Sequence, residues 1–203
     1  MKTIPSILEK DATSLFYQIN KLALYFPRFQ IDIADGIFVP NKTVQIEEIM
    51  KHVTCNTKHV TFDFHLMVKD YGKEIKKLEE LKKIIKINYV FIHLFAITNY
   101  QSASWRTITN FSSFPIGLVL NPQDQVDDLA RQYHLKEIPF VQIMSVNPGF
   151  QGSPFLPETL TKVERLRQLG YRKEIFLDGA INKKTIPIIL SKKYQPDFIC
   201  PGS

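Results

Sequence analysis

The sequence predicts an α/β chain closed into a compact (β/α)8 TIM-type barrel, on two observations. Short apolar runs alternate with helical segments from end to end, the sequence habit of βα units on a parallel sheet. Polar and charged residues then punctuate the ends of those runs, and barrels carry their working residues at the C-terminal ends of strands. The 203 residues are read as a single barrel domain, 1–203, large enough to close one core.

Taken in order, Thr3–Leu8 reads as the first strand and Ala12–Leu24 as the first helix, with Leu15, Ile19 and Leu22 on one face. The second strand, Arg28–Ile33, alternates apolar and polar residues until Ala34-Asp35-Gly36 breaks it into a loop. A second helix lies at Gln45–His52, and a third strand, His59–Phe64, runs into His65-Leu66-Met67. Tyr71–Ile85 is the clearest helix, because Ile75, Leu78, Leu81 and Ile85 recur every three or four residues with charge between them. The fourth strand, Asn88–Ile92, delivers His93. A weaker helix at Asn99–Thr109 precedes the fifth strand, Ile116–Leu120, which stops at Asn121-Pro122. Then come a helix at Val126–Tyr133, a strand at Phe140–Met144, the loop SVNPGFQGSPF and a helix at Pro157–Leu169. Strand Glu174–Leu177 ends at Asp178-Gly179, a helix surrounds Thr185–Leu190, and the eighth strand is Phe198–Cys200. Only Pro201-Gly202-Ser203 follow, so a last outer helix is expected to be absent: either the sequence is cut short, or a neighbouring subunit of a homo-oligomer covers the gap.

Composition narrows the function classes. Hydrophobic residues make up 44% of the chain, as in soluble globular proteins. No apolar run approaches the ~20 residues that cross a bilayer, so no membrane association is expected and a cytoplasmic location follows by default. Cys55 and Cys200 form no CxxC and read as reduced packing residues. The formal charge of +6 is spread out, and its densest stretch, Lys73 to Lys86, is interleaved with Glu74, Glu79 and Glu80. That is the pattern of a solvated helix face rather than a nucleic-acid surface, and a phosphorylated substrate suits a basic protein equally well.

Asp32, His65, His93, Asn121, Ser145 and Asp178 all fall at predicted strand ends. Two carboxylates and an imidazole, from Asp32, His65 and Asp178, suit a divalent cation with mixed nitrogen and oxygen ligands. Two carboxylates on opposite sides of a substrate also suit proton exchange with either face of one carbon. Each has a plainer alternative: Asp32 facing solvent, His65 and His93 as hydrogen-bonded core histidines, Asp178 opening a turn. The glycines of Asn147-Pro148-Gly149-Phe150-Gln151-Gly152, with Gly179-Ala180 and Gly202-Ser203, form a phosphate cradle at strand ends and at a helix N-terminus.

PSIL at Pro5–Leu8, DIADGIFVPN at Asp32–Asn41, FHLMV at Phe64–Val68, LNP at Leu120–Pro122, MSVNPGF at Met144–Phe150 and LDGAIN at Leu177–Asn182 resemble ribulose-phosphate 3-epimerases in order and spacing. The resemblance spans nearly the whole chain. It implies a metal-assisted epimerase that interconverts D-ribulose 5-phosphate and D-xylulose 5-phosphate. Asp32 and Asp178 match the acid/base pair, which also binds one divalent ion (zinc, manganese, iron or cobalt). His65 matches a further ligand. Ser6, His65, Met67 and Met144 match residues at the substrate, and Gly149, Phe150, Gln151, Gly152, Gly179, Ala180, Gly202 and Ser203 match the phosphate-holding segments.

The chain departs from that pattern where chemistry is concentrated. Gln30 stands where the family has a metal-binding histidine, and an amide oxygen is a weaker ligand for zinc-like ions than imidazole. Ala34 replaces a methionine, Phe95 a glutamate, Ala180 the second glycine of DGG, and Gln151 a loop glycine. Two other readings follow: a non-catalytic sugar-phosphate-binding homologue with an eroded metal site, and an epimerase of a six-carbon ketose phosphate. Asp32-Ile33-Ala34-Asp35 lacks the lysine of the related DxKxxD enzymes.

Overall fold

The computed structural model describes residues 1–53, 59–100, 105–110 and 112–202. Cys55, Ser203 and part of the helix expected at Asn99–Thr109 lie outside the described residues.

The strands are β1 (Lys2–Thr3), β2 (Ser6–Ile7), β3 (Arg28–Ala34), β4 (Thr61–Met67), β5 (Lys86–His93), β6 (Ile116–Leu120), β7 (Phe140–Met144), β8 (Glu174–Asp178) and β9 (Phe198–Cys200). All pair in parallel, in the order β1-β9-β8-β7-β6-β5-β4-β3-β2. The expected first strand is thus two pieces separated by Ile4-Pro5. The Lys2, Ile4 and Ser6 amides donate to Asp197, Ile199 and Pro201 on the β9 side, while the Pro5 carbonyl accepts from Gln30 on the β3 side. Pro5 has no N–H for a continuous ladder, yet the segment still joins both edges and a Ser6–Gly202 bridge closes the ring. The barrel expected from the alternation is therefore present.

Between the strands run α1 (Ala12–Leu22), α2 (Ile46–His52), α3 (Tyr71–Leu81), α4 (Leu94–Tyr100), α5 (Trp105–Asn110), α6 (Val126–Gln132), α7 (Thr161–Gln168) and α8 (Ile186–Leu190). Their starts are chemically marked. Asp11 accepts the Ser14 amide at 2.8 Å and Asp70 the Lys73 amide at 3.0 Å, satisfying donors that the first turn leaves free. In α2, Glu47 and Glu48 sit in the first turn and Lys51 and His52 in the last, matching the helix dipole. The stretch α3 ends four residues before the expected Ile85, although Ile85 itself is buried. Helix α4 starts directly after His93, earlier than expected, and α7 is preceded by a 3-10 turn at Pro157–Leu160.

Two apolar layers hold the barrel. Outside the strands, Ile7, Ile31, Ile33, Leu66, Ile92 and Ile143 pack against Leu15, Ile19, Ile49, Ile75, Leu78 and Val163 of the helices. Inside, Phe91, Phe140, Phe176 and Phe198 form a ring of aromatic contacts, with centroids 4.9 Å apart for Phe91–Phe140, 5.0 Å for Phe91–Phe176 and 4.5 Å for Phe176–Phe198. Below it, the Arg28 guanidinium lies 4.6 Å from the centroid of Tyr89 and pairs with buried Asp63 through Nε–Oδ2 at 2.7 Å and Nη2–Oδ1 at 3.1 Å. This packing fills one end of the barrel, and Asp32, His65 and Asp178 sit at the opposite end.

Candidate active site

Side chains two apart on a strand share a face, so Gln30 and Asp32 on β3 both turn into the barrel, as do Gln142 and Met144 on β7. Strand register does the rest: Asp32 lies beside His65 and Met144 beside Asp178. The result is one buried polar cluster at the C-terminal strand ends. Ser6 Oγ donates to Asp32 Oδ2 at 2.7 Å. Gln30 Nε2 donates to both acids, 3.0 Å to Asp32 Oδ1 and 2.7 Å to Asp178 Oδ2. Gln142 Nε2 donates to the same Asp178 Oδ2 at 3.1 Å. His65 Nδ1 lies 3.2 Å from Asp32 Oδ1 and 3.5 Å from Asp178 Oδ2, and its other ring nitrogen is 2.8 Å from His93 Nε2.

Burial and the neighbouring Asp32 charge push the Asp178 carboxyl up to about 7. Burial, then the facing His65, holds the His93 imidazole well below its ordinary value.

The donor set fits a divalent cation. One ligand atom from each of Asp32, His65 and Asp178 lies within 4.8 Å of the others, and all three residues are buried. Two carboxylates and an imidazole are the mixed oxygen and nitrogen set of catalytic divalent-metal sites. Gln30 Oε1 is buried without a hydrogen-bond partner among the described residues, so a reversed amide offers a fourth oxygen.

A cavity of about 470 Å³ opens above the cluster, within the range of small-ligand sites. Ser6, Asp32, His65, Met67, Met144 and Asp178 line its floor; Gly149, Phe150, Gln151, Gly152, Gly179, Ala180 and Gly202 line its wall. Gln30 lies beneath the acids rather than on the cavity surface. Gly149, Gly152 and Gly179 have φ of +115°, +78° and +109°, and Ala180 follows at +52°. Glycine at 149, 152 and 179 lets the backbone take these turns at the cavity wall, where amides can approach an anion closely. The expected approach to the N-terminus of the helix after this loop is not made: the loop continues through residue 156, and no residue of the 3-10 turn at Pro157–Leu160 lines the cavity. Thr185, at the N-terminus of α8, and Lys184 border the cavity instead. Asn41 Nδ2 holds the Gly149 carbonyl at 2.6 Å, tying the loop after β3 to the loop after β7.

Two of the other rim residues have local duties. Ser145 Oγ donates to the Gly179 carbonyl at 2.6 Å and fixes the β7–β8 edge. Asn121 is buried at the end of β6 and does not line the cavity. Sequence reasoning missed Gln142, Asn182, Lys184 and the His65–His93 pairing. A lone amide in the apolar run Phe140–Met144 gives no sign of which face it takes.

The family model described as the ribulose-phosphate 3 epimerase family matches residues 2–201. The ribulose-phosphate 3-epimerase of Methanocaldococcus jannaschii is 33% identical over 188 residues, 90% of this chain and 75% of that protein. That of Helicobacter pylori is 30% identical over 190 residues, 92% and 82% respectively, and that of Bacillus subtilis 28% over 200 residues, 94% and 86%. A solved structure from Sinorhizobium meliloti, described as a candidate isomerase in an open-loop conformation, superposes with a TM-score of 0.58 at 10% identity. It covers 98% of this chain and half of its own, and supports the fold alone. With a family match from end to end and relatives that align through the same barrel, the chain belongs to the ribulose-phosphate 3-epimerase family of isomerases.

Proposed function

We propose that the chain interconverts D-ribulose 5-phosphate and D-xylulose 5-phosphate by two-carboxylate proton transfer at C3. The observation that carries this reading is the convergence of Asp32 and Asp178 on one amide nitrogen, at 3.0 and 2.7 Å, under a cavity with glycine turns at its wall. Epimerisation needs one group that takes a proton and one that gives it to the opposite face. Asp178 gives a proton to one face of C3 while Asp32 accepts the one removed from the other. In the reverse direction the roles exchange. Ser6 orients Asp32 through its 2.7 Å bond, so the base meets the carbon at a set angle. The phosphate is held by the amides around Gly149–Gly152, Gly179–Ala180 and Gly202, with the Lys184 charge nearby. Asp32, His65, Asp178 and a reversed Gln30 amide would hold one divalent ion. When bound, that ion supplies Lewis-acid stabilisation of the charge that develops on the ketone oxygen.

The test is a coupled assay with ribulose 5-phosphate in the presence of manganese, zinc or iron. Turnover that vanishes in Asp32→Asn and in Asp178→Asn is expected. Sugar-phosphate binding with no turnover under any of these ions would instead make the chain a non-catalytic relative.

A further inference from the structure

Two glutamine side chains, both fully buried, converge on the carboxylates. Gln30 uses both hydrogens of Nε2, one for Asp32 Oδ1 and one for Asp178 Oδ2. Gln142, from the far side of the barrel, adds a third donor to Asp178 Oδ2. Each amide does so at a cost, because Gln30 Oε1 and Gln142 Oε1 are buried and have no hydrogen-bond partner among the described residues. Neighbouring carboxylates repel one another, and a cation, a shared proton or oriented N–H donors can offset that repulsion. Three charge-assisted donors of this kind offset it from the protein alone.

We propose that Gln30 and Gln142 form an amide clamp that holds Asp32 and Asp178 in place when no cation lies between them, so that the ion is exchangeable rather than structural. The clamp rests on the reading that Asp32, His65 and Asp178 take a divalent ion. The two amides have different duties. Gln30 spans both acids, so an ion entering between them displaces its N–H bonds, and the amide turns its unpartnered oxygen inward. Of the two acids Gln142 reaches only Asp178, and it keeps that bond in either condition. An imidazole at position 30 could donate through only one nitrogen at a time toward the acids, and would bind zinc more tightly than an amide oxygen does.

Wild type, Gln30→His and Gln142→Met are compared by thermal melting after chelation and after addition of manganese or zinc, and by calorimetric metal titration. Chelated wild type is expected to melt within about 5 °C of its manganese-loaded form. Gln142→Met loses a donor and is expected to show a larger manganese-dependent shift, and Gln30→His at least about a tenfold gain in zinc affinity. The shift within one variant compares identical packing, so a general loss of stability does not obscure it. Chelated wild type melting far below its loaded form, or a Gln142→Met shift equal to that of wild type, overturns the clamp. A parallel coupled assay of loaded wild type keeps the outcomes apart: absent turnover removes the epimerase reading and leaves the melting comparison intact.

Discussion

His65 and His93 face each other with their Nε2 atoms 2.8 Å apart and their rings stacked at 27°. Two ring nitrogens at that distance share a single proton, one donating and one accepting. The contact fixes the ring of His65 so that Nδ1 points at Asp32 and Asp178. Phe38, with its centroid 4.7 Å from His93, braces the pair from the other side. His93→Phe keeps the ring and removes the nitrogen. Metal affinity measured by calorimetry is expected to fall about 10- to 100-fold, the usual effect of losing a partner behind a ligating histidine. Unchanged affinity would make His93 simple packing.

The Asp178 carboxyl holds its proton to about pH 7 in the folded chain, against about 4 for an ordinary aspartate. Between those values the folded state binds more protons than the unfolded one. The contribution of this group is thus fully present at low pH and is lost as pH rises from about 4 to about 7. Asp178→Asn lacks that slope. In chelated samples melted across this window, wild type is expected to lose ground to the variant as pH rises and to run parallel above it. A constant gap throughout would contradict the assignment.

Ala180 is the non-glycine residue with positive φ among the described residues. Its Cβ opposes a left-handed backbone by about 1–2 kcal/mol. Ala180→Gly is expected to stabilise the fold by about 1 kcal/mol, read as a rise of about 2–4 °C in melting temperature, and to leave KM unchanged or lower.

Gly149 combines φ of +115° with a position where an added Cβ would meet Val39 Cβ at 2.8 Å. Gly149 lines the cavity, and Val39 lies on the loop after β3. Gly149→Ala is expected to raise KM for the sugar phosphate about tenfold or more by displacing the loop, with kcat less affected. Equal loss in both constants would point to the acids instead.

Asp63 takes both Arg28 nitrogens together with the Tyr89 amide at 3.2 Å. Asp63→Ala leaves the guanidinium above the aromatic ring without its counter-charge, and a loss of about 3 kcal/mol in denaturant unfolding is expected. The acids at the other end of the barrel are untouched, so activity per folded molecule should persist.

Much of the fold was legible because strand and helix periods are stamped on apolar residues. Ile75, Leu78 and Leu81 mark α3 clearly; Ile85 misleads because it packs into the core from a turn rather than from a helix. The split of the first strand turns on Pro5 and on partners almost two hundred residues away, which no local pattern reports. Helix α4 was hidden because Leu94, Phe95, Ala96 and Ile97 resume the apolar run of β5 directly after His93. In the site, Asp32 and Asp178 were visible because a charge inside an apolar strand needs a reason. Gln142 was not, since an uncharged amide is unremarkable there and its meaning comes from Asp178, a strand away.

Ser6 belongs at once to the seam that closes the ring, through its bridge to Gly202, and to the buried acid cluster, through its bond to Asp32. A barrel that begins to gape at this seam therefore slackens the hold on Asp32 at the same moment. Heat inactivation should set in with the parting of these two edges, before the helices on the far side melt.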